Sequence, residues 1–376
     1  MTDTADGKLD ILFVLDNLTG GGAERVAVTL ANGLLARGHR VRMVLFQDHG
    51  VLRAMLDPGV ELSFLHTVRA RQALWPLARR IAALKPGAVL SFLPHANILA
   101  ILAARLARSR AAVVVTEHNQ PSEQMPGLMS DGFRRSYRLA GLVYPFASAL
   151  VCCSPGVRQA WIERGGVRER RLHAIYNPVI TPELDAASRR KPDHPWAIEQ
   201  GGPPLIVSAC RFEPEKDLET MLRAFARLRA QRPARLLMLG NGAQRPALEA
   251  LAEQLGVGAD VAMPGFCDNP YAVFRRADVV AVSSVTEGFG NVTIEALACG
   301  TPVVTTRCLA PADQRVVDAW AHAVVPVGDD AALAAAIGHA LDDPGDRAAL
   351  PGRVAGLTLA SALHAYEAVL NGTIRA

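Results

Sequence analysis

The sequence has no Asp-x-Asp triplet, no Cys-x-x-Cys pair and no grouping of histidines and acids at metal-ligand spacing. That removes the simplest sequence signals of a bound metal ion. It also has no basic, then apolar leader: the first ten residues, MTDTADGKLD, are polar and acidic and run straight into an apolar strand. No apolar run is long enough to cross a bilayer, since the best one, 89–107, is interrupted by Pro94, His95 and Asn97. Signatures of nucleic-acid modules are missing too, so nucleic acid is not expected as a partner. The six cysteines (Cys152, Cys153, Cys210, Cys267, Cys299, Cys308) sit in or beside apolar runs without paired spacing. They read as buried free thiols of a reducing, cytoplasmic compartment.

What is present is an ordinary globular composition, 50% hydrophobic and 20% charged over 376 residues, which at this length predicts two domains. Short β-branched runs alternate with helical patterns: strands at 11–16, 41–46, 62–65, 89–92, 113–117 and 149–153, helices at 24–36, 73–84 and 98–107. Continuous apolar strands separated by helices predict a parallel sheet covered on both faces. Between about 177 and 204 the chain collects prolines, a Gly-Gly pair and charges without periodicity, as a linker does. Alternation then resumes, with strands at 205–209, 235–239, 261–263, 279–283, 303–305 and 323–325 and helices at 218–230, 247–255, 291–298 and 331–341. The expected fold class is α/β with two doubly wound, Rossmann-like domains facing each other across a cleft. The expected boundaries are 1–180, a linker 181–204, a second domain 205–355 and a C-terminal helix 356–376.

Charge is unevenly divided. Residues 1–200 hold 25 Lys and Arg against 17 Asp and Glu, and residues 201–376 hold 15 against 19. A solvated helix face explains much of the excess. Attraction to an anionic membrane surface or to a phosphate-bearing acceptor is the sharper reading.

In doubly wound sheets ligands bind outside the carboxyl ends of strands, beside helix N-termini, and the conspicuous polar clusters of this chain all follow strands. Gly20, Gly21 and Gly22 form the turn after the first strand, where glycines let backbone amides approach an anion. Arg211 and Lys216, in RFEPEKD, follow the first strand of the second domain. Basic residues near a helix start oppose its dipole, so an anion such as a diphosphate held between them is one explanation. Pairing with Glu213 and Glu215 is the other. Gly240 and Asn241 follow the next strand. In TEGFGNVTIEALACG, Glu287 lies on a loop with Gly288 and Gly290, Asn291 is a candidate N-cap, Glu295 falls one turn into the helix and Gly300 ends it. Both glutamates then face one ligand at that helix N-terminus.

GGAER, RFEPEKD and EGFGNVTIEALACGTPVV, in that order over nearly the whole chain, resemble the motif set of the retaining glycosyltransferases of family 4, which have the two-domain GT-B fold. The resemblance implies a nucleotide diphosphate sugar, UDP- or GDP-linked, as donor substrate and no other cofactor. It implies that Glu287 contacts the donor sugar and Glu295 the ribose, and that Arg211 and Lys216 hold the diphosphate. The amides at Phe289, Gly290 and Asn291 would meet sugar and phosphate, Gly21 and Gly22 the phosphate from the first domain, and His118, in TEHN, the reacting sugar carbon. The acceptor it implies is a glycan or lipid-linked glycan. The chain departs from the pattern after TPVV, where RCLAPADQ places Pro311, which has no N–H, in a loop that supplies donor amides in relatives. Two alternatives stay open at this level: a nucleotide-sugar epimerase of the same fold and a non-catalytic nucleotide-sugar-binding subunit.

Overall fold

The computed structural model describes residues 8–121, 131–199 and 201–374. The chain divides into two compact units, Met1–Pro178 with Leu357–Ala376, and Val179–Gly356.

The first unit is a seven-stranded sheet of β1 (Asp10–Leu15), β2 (Arg40–Leu45), β3 (Glu61–Phe64), β4 (Ala88–Phe92), β5 (Ala112–Glu117), β6 (Ala149–Cys152) and β7 (Leu172–Ala174). The order is β3-β2-β1-β4-β5-β6-β7 and every pairing is parallel. β4 and β5 are buried along their whole length and β1 from Ile11 onward because helices cover both faces, which is why these strands read as largely apolar runs. Order reverses at β1, which has β2 on one side and β4 on the other, so the loops after β1 and β4 open at a switch point.

The helix Leu359–Ile374 belongs to this unit. Its Ala362, Leu363, Tyr366 and Leu370 join the core built by Val26, Leu30 and Leu34 of the helix Gly22–Ala36. At Gly33 an added Cβ would lie 2.8 Å from Leu363 Cδ1, so the two helices meet closely there and a larger residue would push the leucine aside. At their polar edge Glu367 accepts from Arg37 Nη1 at 2.6 Å and lies 2.9 Å from His39 Nε2. Glu367→Ala is expected to cost about 1 kcal/mol in urea unfolding, the worth of a partly exposed bridge with a second partner; an unchanged midpoint would remove any anchoring role.

The second unit is a six-stranded parallel sheet of β8 (Leu205–Ala209), β9 (Arg235–Leu239), β10 (Val261–Gly265), β11 (Val279–Val282), β12 (Val303–Thr306) and β13 (Ala323–Val325), ordered β10-β9-β8-β11-β12-β13. The helices Leu218–Arg229 and Asp330–Asp342 pack together on one face, with Phe225, Leu228, Leu333 and Ile337 buried between them and the sheet. Residues 181–204 are not a structureless connection. They carry the helices Pro182–Ser188 and Pro195–Ile198, with Leu184 and Ala197 buried and Asn269 Nδ2 donating to the Ala187 carbonyl at 2.8 Å. Pro182 and Pro195 occupy first helical positions, where a missing N–H costs nothing, so prolines that read as breakers are helix starters. Among the described residues no helix is long and apolar enough to cross a membrane.

Candidate functional site

In the second unit the site loops follow β8, β9 and β11. After β8 the chain turns through Pro214–Lys216 into Asp217, whose left-handed backbone (φ +45°) and side chain cap the next helix by accepting from the Thr220 amide at 3.4 Å. After β11 it runs through Ser283 and Ser284 to Glu287. Three contacts tie these segments: Lys216 Nζ donates to Glu287 Oε1 at 2.7 Å, Ser284 Oγ donates to the same oxygen at 2.8 Å, and Ser283 Oγ donates to the Lys216 carbonyl at 2.8 Å. The Glu287 amide is held in turn by the Cys308 carbonyl at 3.0 Å.

Lys216 and Glu287 are 15% and 19% exposed, so their attraction acts in a medium less polar than water. Burial opposes the lysine's charge, but attraction to Glu287, joined by that to Cys210 and Glu215, outweighs it and the Lys216 pKa is raised. Burial pushes the neighbouring Cys210 and Cys308 thiols up to about 12, so neither supplies a thiolate nucleophile at neutral pH. Arg211 is more exposed and its guanidinium meets Glu215 Oε1 at 3.3 Å. The ion-pair reading of the two cations therefore describes Arg211, whereas Lys216 finds its acid 71 residues along the chain rather than at Glu213 or Glu215.

Gly290, not Asn291, is the N-cap of the helix Asn291–Ala298. The cap residue has φ +79°, a conformation in which glycine avoids the strain of a side chain, and this moves the helix start one residue earlier than the polar side chain suggests. Gly288 lies between Glu287 and Phe289, whose ring is buried edge-on to Trp320 with centroids 6.4 Å apart, anchoring the loop. Glu295 is buried, with the Tyr271 hydroxyl 3.4 Å from its Oε1. The two glutamates thus have separate protein partners.

Gly240 and Asn241 close against the end of β10 and the loop after β8: the Gly240 amide donates to the Gly265 carbonyl at 2.8 Å and the Asn241 carbonyl accepts from the Phe212 amide at 2.9 Å. Gly240 has φ +132°, and a Cβ there would overlap the Cys210 carbonyl. The glycine therefore serves the packing of two loops, and its amide is spent in the protein. The loop after β12 is closed as well. Arg307 and Cys308 donate their amides to the carbonyls of Val325 and Thr306, and the Leu309 amide donates to Gln314 Oε1 at 3.2 Å. With Pro311 starting the next helix, the chain's own groups take the donors at 307–309.

In the first unit Gly21 is the N-cap of the helix that begins at Gly22. His118 follows β5; its ring stacks on Phe92 at 5.6 Å and its Nε2 lies 3.1 Å from Thr116 Oγ1. Burial lowers its pKa to about 4, with Asn177 opposing, so it is neutral at pH 7. Beside it, Glu117 is fully buried, and its carboxyl is contacted by the Tyr144 hydroxyl, by the Tyr137 hydroxyl at 3.1 Å and by Asn97 Nδ2 at 3.3 Å. Burial pushes this carboxyl up to about 7 against those hydrogen bonds. At the switch point the buried atoms Asp16 Oδ1 and His95 Nε2 have no hydrogen-bond partner among the described residues, and the two side chains face each other at 3.7 Å. Buried polar atoms left unpaired are uncommon and mark a place where a ligand or water can bond. No three His, Cys, Asp or Glu side chains converge as a metal ligand set among the described residues.

Sequence reading passed over Ser283, Ser284, Glu117, Asp16 and His95. The signal was present: each lies at or just after the carboxyl end of a strand, or at the start of the helix that follows, in otherwise apolar surroundings.

Two parallel α/β units, with polar clusters at the carboxyl ends of their strands, give the architecture of the GT-B fold. HepE of Anabaena, solved with UDP and glucose, superposes with a TM-score of 0.76 at 20% identity over 97% of this chain and 100% of that one. A glycosyltransferase from Rickettsia africae does so at 0.76 and 17% identity over 98% and 99%. Residues 20–182 match the family described as Glycosyltransferase Family 4, and residues 191–352 that described as Glycosyl transferases group 1. A lipopolysaccharide core biosynthesis glycosyltransferase of Rhizobium meliloti, LpsE, is 29% identical over 337 residues, 86% of each chain. A Campylobacter jejuni enzyme named as an N-acetylgalactosaminyltransferase acting on a diphospho-undecaprenol glycan is 27% identical over 303 residues, 77% of this chain and 78% of that one. The chain belongs to the family 4, group 1, glycosyltransferases.

Proposed function

We propose that this glycosyltransferase moves a sugar from a UDP- or GDP-linked donor to an acceptor hydroxyl, with retained anomeric configuration and without a metal ion, in building a polysaccharide or lipid-linked glycan in the cytoplasm. The observation that carries the reading is the Lys216–Glu287 pair at the carboxyl ends of β8 and β11, directly before a helix N-terminus. A diphosphate entering there competes with Glu287 for Lys216 and frees the carboxylate to accept from sugar hydroxyls. As the sugar–phosphate bond breaks, charge grows on the leaving diphosphate; Lys216, Arg211 and the amides at Phe289–Asn291 are set to stabilise it without reorganising. Fixed cations so placed perform the charge role a metal would otherwise perform. Glu295 then meets the ribose, Gly21 and Gly22 the phosphate, and neutral His118 the reacting sugar. UDP in the Anabaena structure and the lipid-linked or lipopolysaccharide substrates in the relatives' names support these choices of donor and acceptor.

A donor screen tests the reading. UDP or GDP at about a hundred times its Kd should stabilise the native state by roughly 2.7 kcal/mol in thermal unfolding. Turnover with the matching sugar should survive chelator, and the product should keep the donor's anomeric configuration by NMR. An inverted product, or activity restored only by added divalent cation, would overturn the corresponding half.

A further inference from the structure

At the opposite, amino-terminal rim of the first unit's sheet lies a second basic feature. A cavity of about 390 Å³ is lined by Arg105, Pro145, Phe146, Gly166, Arg168 and Arg171, where the helix Pro94–Leu106 ends and β6 and β7 begin. Arg171 Nη1 is fixed by the Pro145 and Ala147 carbonyls at 3.1 Å each. The Arg105 guanidinium stacks over the exposed Phe146 ring, 4.3 Å from its centroid. The acid nearest in sequence, Glu169, pairs with Arg158 at 3.0 Å.

The surroundings are apolar as well as basic. Of thirteen large hydrophobic side chains exposed among the described residues, five fall here: Leu102, Leu106, Leu139, Leu142 and Phe146. Leu102 and Leu106 are one turn apart on their helix, and Leu139 and Leu142 are likewise on the helix Asp131–Val143, which packs beside it. The end of that helix reaches the cavity wall, since a Cβ on Gly166 would lie 3.1 Å from the Gly141 carbonyl. Arg135 and Arg138 are exposed on the same helix, and the described part of 94–147 holds only two acids, Asp131 and Glu117, of which Glu117 is buried. Leu142 is 72% exposed and Phe146 56%, exposures that are ordinary for single residues and unusual for a cluster.

Guanidinium groups around an open cavity, with leucines beside them, match a ligand having a phosphate at one end and hydrocarbon at the other. We infer that this face docks on an anionic phospholipid bilayer, with Arg105 and Arg168 on a headgroup phosphate and Leu139, Leu142 and Phe146 at the acyl boundary. It lies away from Gly21, Gly22 and His118, which follow the carboxyl ends of their strands, and so does not depend on the transfer reaction.

Vesicle flotation of the full chain is the test. Binding is expected to vesicles of phosphatidylcholine mixed with phosphatidylglycerol and not to phosphatidylcholine alone, and it should weaken as salt shortens the screening length. Arg105→Ala and Arg168→Ala should each lower the affinity about five-fold. Leu139→Ser with Leu142→Ser should lower it at least as much, with melting temperature and donor hydrolysis unchanged in all variants. Equal binding to neutral vesicles, or variants that bind like the parent, would overturn the inference. So would an Arg105-dependent thermal shift with inorganic phosphate but no vesicle binding, which makes this a free-anion site. Leucine-dependent self-association in sedimentation without vesicle binding would replace the bilayer by a second copy.

Discussion

Glu287→Ala is expected to slow sugar transfer by about 10²–10³-fold, and Lys216→Ala by a similar factor, since each removes a preorganised charge from the reacting centre. The two side chains share a hydrogen-bonded ion pair at 2.7 Å, so either change also leaves its partner without its counter-charge in a largely buried position. That alone should destabilise the second unit, by about 3 kcal/mol at most. The double variant Lys216→Ala with Glu287→Ala separates the effects, because losing both charges together relieves the stability defect while leaving the chemistry without its groups. Urea unfolding and single-turnover transfer on the four proteins form the cycle. Recovery of both stability and rate in the double variant would mean that the pair only holds two loops together.

The second large effect concerns pH. The folded first unit binds the Glu117 proton more tightly than the unfolded chain, with the pKa raised from 4.5 to about 7. This contribution to stability is therefore full below pH 4.5 and is lost as pH rises to about 7. His118 runs the other way: its pKa falls from 6.5 to about 4, so its contribution is full above pH 6.5 and is lost as pH falls through 4. Between 4.5 and 6.5 the two slopes oppose, and the parent's stability should vary little on their account. Glu117→Gln removes one side of the balance. Relative to the parent, the variant should lose about 3 kcal/mol between pH 7 and pH 4, read from urea midpoints at half-unit steps. Parallel pH profiles for the two proteins would show that the buried carboxyl does not titrate in this range. Tyr137, Tyr144 and Asn97, which contact Glu117, and Arg164, whose charge acts on it, stay in place in the variant, so the comparison isolates one proton.

Twelve of the thirteen strands were legible in the sequence because strands buried on both faces are continuous β-branched runs, a signal that survives without knowledge of neighbours. The exception is β7, three residues long, too short for any pattern. The helix Asp131–Val143 escaped because its leucines face outward, and the two short helices in 181–204 were hidden by the prolines that begin them. At the site, Glu287, Lys216 and Gly290 were legible from glycine spacing and from charges set against a helix dipole. Their mutual arrangement was not, since the Lys216–Glu287 contact spans 71 residues and depends on β8 and β11 lying side by side. The use of the Leu309 amide by Gln314, five residues on, was hidden for a different reason: Pro311 reads as a loop residue, whereas it starts the helix that carries Gln314.

The helix Leu359–Ile374 completes the core of a unit whose other residues come from the first half of the sequence. During synthesis, then, the sheet of seven strands leaves the ribosome long before its last covering piece, and Val26, Leu30 and Leu34 face solvent until some 180 further residues have been made, about 10–40 s at ordinary elongation rates. The second unit is contiguous and can finish first. Late assembly of the amino-terminal half, rather than the usual order from front to back, is what this chain path dictates, and a nascent chain stalled before Leu359 should be a preferred client of chaperones that recognise open apolar grooves.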